Sequence, residues 1–153
     1  MNWRYSLGLP PLLSGGDPGL NSGFMGVQLL ATSLAAECRI LTTPASVQTI
    51  PTNANNQDVV SMGTISARMT RDLVGKVWKL AAIQALALAQ AADLRGGDLM
   101  GGDYRKLHQL VRGVSPKLTN DRPLFEDIPR VVELLRSPEV QARFLPARPK
   151  PGN

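Results

Sequence analysis

The feature that most constrains the fold is a stretch of about 36 residues, 59–94, that keeps helical periodicity and contains no proline. Its apolar positions recur three or four residues apart, which is the spacing of one helix face. Beyond Leu80 the apolar surface widens almost all round, which predicts that this half is enclosed on several sides. The stripe before that point consists of Met62, Ile65, Met69, Leu73, Val77 and Leu80.

Such a helix is too long for a compact globule of 153 residues. About 36 residues at about 1.5 Å each span about 54 Å, whereas a globule of this chain length has a diameter of roughly 40 Å. The protruding half would be apolar on nearly every side, and each Leu or Ile contributes about 1.5–3 kcal/mol when buried. We therefore expect other chains to cover the helix, and we do not expect a stable monomer.

The composition favours helices over sheets. Apolar residues make up 43% of the chain and aromatic residues only 5%, so an aliphatic helical core is expected rather than a β-sandwich. The chain is long enough for about one domain. We therefore predict an all-α fold built as a long-helix bundle.

Hydropathy, charge and cysteine content indicate where the protein is located and which partners it can bind. The most apolar windows, 27–41 and 78–92, are interrupted by polar or charged side chains and fall short of the roughly 18 apolar residues of a membrane-spanning helix. The net charge of +5 is spread thinly, without a basic run, so no nucleic-acid partner is expected. Cys38 is the only cysteine, and the N-terminus does not read as a signal peptide, which predicts a reducing, cytoplasmic location.

Gly, Pro and helical periodicity divide the chain into four regions. These are an irregular Gly/Pro-rich lead-in, two long core helices with a polar connecting loop, a set of short C-terminal helices and a disordered tail: 1–23, 24–95, 96–145 and 146–153. Ser22 is the predicted N-cap of the first long helix, which runs to about residue 41. The short helices are predicted at about 104–111 and 129–135, and a third is opened by Ser137-Pro138-Glu139.

The reactive side chains have structural interpretations. His108 has no Cys, His or acidic partner at metal-ligand spacing, so it is predicted to be a solvated helix histidine, and no metal site is expected. Cys38 lies on the apolar stripe of the first long helix and is predicted to be a buried, inert thiol. The glycine clusters lack a preceding strand and the ending of a P-loop, so phosphate binding is not expected.

Uncharged polar side chains are concentrated just before the long helix, in "PTNANNQDVVSMG" at residues 51–63. One interpretation is local, because Asn and Asp cap helices and make turns. The other is that the amides line a polar site. Spacing alone favours the local interpretation, although Gln57 is the residue least suited to it.

Three long segments resemble the later part of the family of aromatic amino acid ammonia-lyases and aminomutases. They are "GLNSGFMGVQLLATSLAAECRIL", "TPASVQTIPTNANNQDVVSMGTISAR" and "LALAQAADLR". The resemblance implies that long helices from four subunits pack into a multi-chain central helical bundle, with active sites assembled from more than one chain. It also implies an electrophilic cofactor, 4-methylideneimidazole-5-one (MIO), which the family makes from an internal Ala-Ser-Gly.

The same resemblance implies which residues line the pocket. Met25 matches a position in the substrate pocket, and Asn53 and Gln57 match polar positions near the substrate amino group and the cofactor. Asn56 falls in the same motif. No Ala-Ser-Gly occurs in this sequence, and the family's catalytic tyrosine loop has no counterpart. No catalytic residue is therefore expected in this chain alone, and the MIO group is expected from a partner chain.

Two functions remain open at this point. The first is the C-terminal subunit of a split, heteromeric MIO-type ammonia-lyase or 2,3-aminomutase acting on an aromatic amino acid or a related small molecule. Its partner would be an N-terminal catalytic subunit of the same family. The alternative is a non-catalytic helical assembly or regulatory protein derived from the same fold. The retained polar residues favour the first function, and the missing electrophile segment favours the second.

Overall fold

The described part of the chain is α-helical. The computed structural model describes residues 6–17, 19–97 and 100–144, so the predicted tail at 146–153 lies outside the described residues. Within them, five α-helices occur and no β-sheet forms, which confirms the all-α prediction. In chain order, α1 to α5 are Met25–Leu41, Gly63–Leu94, Gly102–Val114, Asp127–Arg136 and Pro138–Phe144. Short 3-10 turns occur at Pro11–Leu13 and Ala45–Gln48.

Helices α1 and α2 lie side by side in opposite directions. Near the C-terminal end of α1, Glu37 accepts a hydrogen bond from Lys76, and near its N-terminal end Val27 shares a cavity with Ile83 and Ala87. With 32 residues, α2 is about 48 Å long. It begins four residues later than predicted but still exceeds the diameter of a compact globule of this size.

The core surrounds the C-terminal half of α2. Helices α1, α3 and α4 and the loops beside them pack around residues 82–90. The prediction that this half is enclosed on several sides is confirmed, and its own chain supplies that cover, although Leu88 is exposed. Coverage by other chains stays a prediction. The core cluster consists of Leu13, Phe24, Val27, Leu34, Ala82, Ile83, Leu86, Ala89, Val111, Leu118, Leu124, Ile128 and Val131.

The N-terminal half of α2 is less buried than the C-terminal half. No residue between Gly63 and Ala81 is fully buried, and Ile65, Val74 and Val77 are exposed. Helix α1 has an exposed face as well, opposite the stripe that packs on α2. We call this face the outer stripe of α1; its members are Met25, Leu29, Ala36 and Ile40.

A fully buried glutamine ties three segments to the core. Gln90 Nε2 donates to the carbonyl oxygens of Leu13 and Leu118, at 3.2 Å and 2.8 Å. Gln90 Oε1 accepts from the backbone N–H of Leu118 at 3.0 Å and from Arg112 at 3.4 Å. Because an unpaired polar group is costly in a core, these bonds explain why a glutamine is tolerated among Ala and Leu residues.

The start of α1 is held from a distant part of the chain. The carboxylate of Asp121 accepts the backbone N–H groups of Ser22, at 2.6 Å, and Gly23, at 2.9 Å. Gly23 has a φ of 55°, and a Cβ there would lie 2.6 Å from the carbonyl oxygen of Leu12, so only glycine fits. Ser22 is therefore not the N-cap; the N-cap is Phe24, without a side-chain bond, and Asp121 holds the turn before it.

His108 is not the solvated histidine that the sequence predicts. Its Nε2 lies 2.7 Å from Asp93 Oδ1, and both side chains are mostly buried, with 17% and 14% of their surfaces exposed. Arg112 Nε donates to the other oxygen of Asp93 at 2.7 Å. The prediction failed because the acidic partner comes from α2, which α3 packs against.

Cys38 is a free thiol and is only partly buried.

Candidate functional site

The predicted site residues Asn53, Asn56 and Gln57 lie in one exposed loop between the Ala45–Gln48 turn and α2. The loop is closed at its base by the Thr49 hydroxyl, which accepts the backbone N–H of Val60 at 3.1 Å. Local bonds of this kind fix a loop without burying it. We call residues 49–60 the amide loop.

A second pair of residues narrows the amide loop. The backbone N–H of Thr52 donates to the carbonyl of Gln57 at 3.0 Å, and that of Gln57 donates to the carbonyl of Thr52 at 3.3 Å. The side chains also meet, because Thr52 Oγ1 donates to Gln57 Oε1 at 3.3 Å. Sequence reasoning missed Thr52; its spacing of five residues from Gln57 is typical of a tight turn but is not a specific signal.

The tip of the amide loop has an uncommon backbone. Asn53, Ala54 and Asn55 all have positive φ, at 53°, 54° and 66°. The Asn56 N–H donates to the carbonyl of Asn53 at 3.0 Å and closes the turn. Asparagine tolerates left-handed conformations, but alanine pays a steric cost there. The tip is therefore shaped at some expense in free energy.

The amide residues shape the turn at the tip of the loop but do not cap the helix, so the local interpretation holds only in part. Helix α2 begins at Gly63, and its N-cap, Met62, has no side-chain cap bond. Within the described part of the chain, the exposed side chains of Asn53 and Asn56 form no hydrogen bond. The interpretation as helix caps is therefore wrong, and these amides keep their donors and acceptors free for another group.

Met25, the fourth predicted residue, lies elsewhere. It is the first residue of α1 and is half exposed. Its neighbours Phe24 and Val27 pack against α2 near Ile83, which is 20 residues, or about 30 Å, from the start of α2. No described contact joins Met25 to the amide loop, so one chain brings together three of the four predicted residues.

Other classes of site find little support among residues 6–17, 19–97 and 100–144. No group of three or more His, Cys, Asp or Glu side chains is arranged there to hold a metal ion. None of the helices found there has the length and apolarity required to cross a bilayer.

Comparison with known proteins settles the family. A family model described as aromatic amino acid lyase matches residues 1–113. The tyrosine ammonia-lyase of Cereibacter sphaeroides is 52% identical over 128 residues, which cover 82% of this chain and 24% of the relative. The chain belongs to the aromatic amino acid lyase family. The resemblance of its three long segments is thereby confirmed.

Aminomutases and histidine lyases of the family are also similar. The MIO-dependent tyrosine 2,3-aminomutase of Streptomyces globisporus is 45% identical over 136 residues, which cover 88% of this chain and 25% of the relative. The crystal structure of the tyrosine aminomutase from that organism has a TM-score of 0.83 at 43% identity and covers 93% of this chain. The histidine ammonia-lyase structure from Trypanosoma cruzi has a TM-score of 0.81 at 39% identity and covers 88%.

This lyase-family chain spans about a quarter of the length of the relatives it matches: 24% and 25% of the two enzymes and 28% of the aminomutase structure. That coverage fits the predicted match to the C-terminal portion of the family. The all-α architecture of the chain is the architecture of the matching portion in these structures.

Proposed function

We propose that this chain forms one wall of the active site of an MIO-type ammonia-lyase or 2,3-aminomutase that acts on an aromatic amino acid. Gln57, Asn53 and Asn56 would contact the polar part of the substrate and the cofactor, and Met25 would contact an apolar part. An N-terminal catalytic chain of the same family would complete the site and carry the Ala-Ser-Gly. Relatives of both reaction types support this class of chemistry.

The observation that carries the proposal is the set of free amides in the amide loop. Asn53 and Asn56 are exposed, have no partner in the described chain and sit at a tip whose left-handed backbone costs free energy. Backbone conformations of this kind cluster at ligand-binding sites. Amides that orient a substrate gain from such a backbone, because they are held in place before the substrate binds.

Neutral amides also fit the cofactor that the family implies. They can donate to an oxygen or accept from an N–H without bringing a buried charge. Gln57 and Asn53 are the residues that would hold the MIO group, whose chemistry is to act as an electrophile toward the substrate. The 153 residues contain no Ala-Ser-Gly, so the group would come from the partner chain.

The work of this chain would be to bind and orient. The amide loop would fix the amine and carboxylate of the substrate in a site closed to water, where each polar contact is stronger than in solvent. Met25 lies at the other end of α1, so it would serve the site of a different subunit from the one that its own amide loop completes. An assembly of several copies resolves that separation.

Exposed apolar surface supports such an assembly. The outer stripe of α1 and the exposed residues Ile65, Val74 and Val77 leave much apolar area open. Fully burying an exposed Leu, Ile, Val or Met contributes about 1.5–3 kcal/mol, and the half-exposed residues of this set contribute less. A large α-helical hetero-oligomer is therefore the expected working form.

Complementation tests the proposal. The probe is the Cereibacter sphaeroides tyrosine ammonia-lyase, truncated to keep its Ala-Ser-Gly and to lose the quarter that this chain matches. The two chains are co-expressed and purified together, and turnover of L-tyrosine is followed by the ultraviolet absorption of the conjugated acid. We expect a joint complex with turnover that neither chain shows alone. Assembly without turnover would favour the non-catalytic alternative, and failure to assemble would contradict the partner-chain proposal.

A substitution connects the activity to the amide loop. Gln57→Ala removes a hydrogen bond to the ligand and leaves its partner unpaired, which costs about 1–3 kcal/mol, or about 5- to 150-fold in kcat/KM. The matched control is Gln84→Ala, an exposed glutamine on α2. We expect the control to keep full turnover. Complexes of both variants should have the same melting temperature as the unsubstituted complex. Equal turnover of the two variants would contradict the site assignment.

A further inference from the structure

Gln57 differs from the other predicted pocket amides because its side chain has a partner. Thr52 Oγ1 donates to Gln57 Oε1 at 3.3 Å, and the two backbones are joined by a pair of hydrogen bonds of 3.0 Å and 3.3 Å. Asn53 and Asn56, which lie between them, have exposed side chains without such a bond. One end of the Gln57 amide is therefore fixed inside the loop.

We propose that Thr52 is a positioning residue that holds the Gln57 amide with its Nε2 hydrogens turned toward the ligand. This inference rests on the proposed function, since it assigns the orientation of a residue in that site. An amide has two N–H donors and one oxygen with two lone pairs, one of which accepts from Thr52. With the oxygen engaged by Thr52, Gln57 offers mainly donors.

The orientation determines what Gln57 recognises. A pair of N–H donors binds an oxygen acceptor, and the bond is strongest when that oxygen carries negative charge. A substrate ammonium group carries only donors, so it cannot form a hydrogen bond with the N–H donors that Gln57 presents. The ligand atom opposite Gln57 is therefore an oxygen, from the carboxylate of the amino acid or from the carbonyl of the cofactor, and not the substrate nitrogen that the resemblance alone suggests.

The experiment uses the assembled enzyme with three substitutions. Thr52→Val keeps the shape and removes the hydroxyl, Thr52→Ser keeps the hydroxyl, and Thr70→Val is the matched control on the exposed face of α2. We expect kcat/KM to fall by about 3- to 10-fold in Thr52→Val and to stay within about 2-fold in the other two. The melting temperature should be the same in all of them.

A readout without turnover accompanies the kinetics. The dissociation constant of the unsaturated acid product, measured by calorimetry, should rise in Thr52→Val if the acceptor is the substrate carboxylate, together with KM. If the acceptor is the cofactor carbonyl, the dissociation constant of the product and KM should stay unchanged while kcat falls. Side-chain amide NMR of Gln57 should shift in Thr52→Val and not in Thr52→Ser in either case.

Two further variants separate positioning from simple loop stabilisation. In the Gln57→Ala background, Thr52→Val should cause no additional loss, because a residue that acts through Gln57 has nothing left to position. Gln57→Glu should lower kcat/KM by about 10-fold or more, since a carboxylate opposite an oxygen acceptor repels it. Additive losses in the double variant, or full activity in Gln57→Glu, would overturn the inference.

The failure of this inference can be told from the failure of the proposed function. If Gln57→Ala lowers turnover but Thr52→Val does not, and the Gln57 amide signal is unmoved, the site assignment stands and the positioning role is refuted. If Gln57→Ala leaves turnover intact, both proposals fall together.

Discussion

The buried glutamine of α2 gives the sharpest test of how the fold is held together. Gln90 is fully buried and forms four hydrogen bonds, three of them with backbone groups of Leu13 and Leu118. Gln90→Leu keeps about the same volume but leaves those three backbone groups without a partner. Each unpaired buried group costs about 1–3 kcal/mol. The loss of the 3.2 Å bond to Leu13 should cost an amount at the low end of this range. We expect a total loss of about 3–5 kcal/mol.

That loss is a large fraction of the stability of an ordinary domain, which is about 5–15 kcal/mol. The assay is urea denaturation followed by circular dichroism, at one fixed protein concentration so that any self-association contributes equally to both proteins. Gln84→Leu is the control: the same exchange at an exposed position of the same helix should change the unfolding free energy by no more than about 0.5 kcal/mol. A loss below about 1 kcal/mol for Gln90→Leu would refute the role of these bonds.

Three shorter predictions follow from other contacts. Backbone hydrogen bonds from Ser22 and Gly23 lower the pKa of Asp121, so its contribution is complete above the unfolded pKa of about 3.9 and is lost as the pH falls through the lower folded value; Asp121→Asn should flatten that acid limb in pH-dependent melting. His108→Ala should cost about 1 kcal/mol in urea unfolding, because Asp93 loses one of two partners; an unchanged midpoint would contradict this. Light scattering of the isolated chain should show oligomers or aggregates, and a folded monomer of 16.5 kDa at low concentration would count against the multi-chain assembly.

Local periodicity made much of the fold predictable. The apolar stripe of α1, which includes Val27, Leu34 and Cys38, was readable because helix spacing repeats within a few residues. In the structure Val27 and Leu34 are buried, and Cys38 is partly buried. The start of the last helix was readable for the same reason: Ser137 Oγ accepts the N–H of Val140 at 3.4 Å. Signals of this kind lie within one or two turns of sequence.

Long-range contacts were not predictable from the same signals. The Asp121 bond that holds the start of α1 joins residues 99 positions apart, and the partner of His108 lies on a different helix. The enclosure of Gln90 likewise depends on which loops return to α2. In the candidate site, the residue types at Asn53, Asn56 and Gln57 pointed to an amide cluster, but the left-handed tip and the Thr52 contact appeared only with the backbone.

The two halves of α2 are buried to different extents, so a small tilt at the buried end produces a larger displacement at the other end. Its C-terminal half is packed in the core around residues 82–90, while the amide loop precedes Gly63, which is about 28 Å from residue 82. A tilt of only about 3° at the packed end would move the loop by about 1.5 Å, and displacements of about 1 Å are enough to impair catalytic positioning. Gly75 lies between the two, and beside it the Lys76–Glu37 pair joins α2 to α1. The geometry of the proposed site would therefore depend on lateral packing of α2 against α1 and, in the proposed assembly, against helices of other chains.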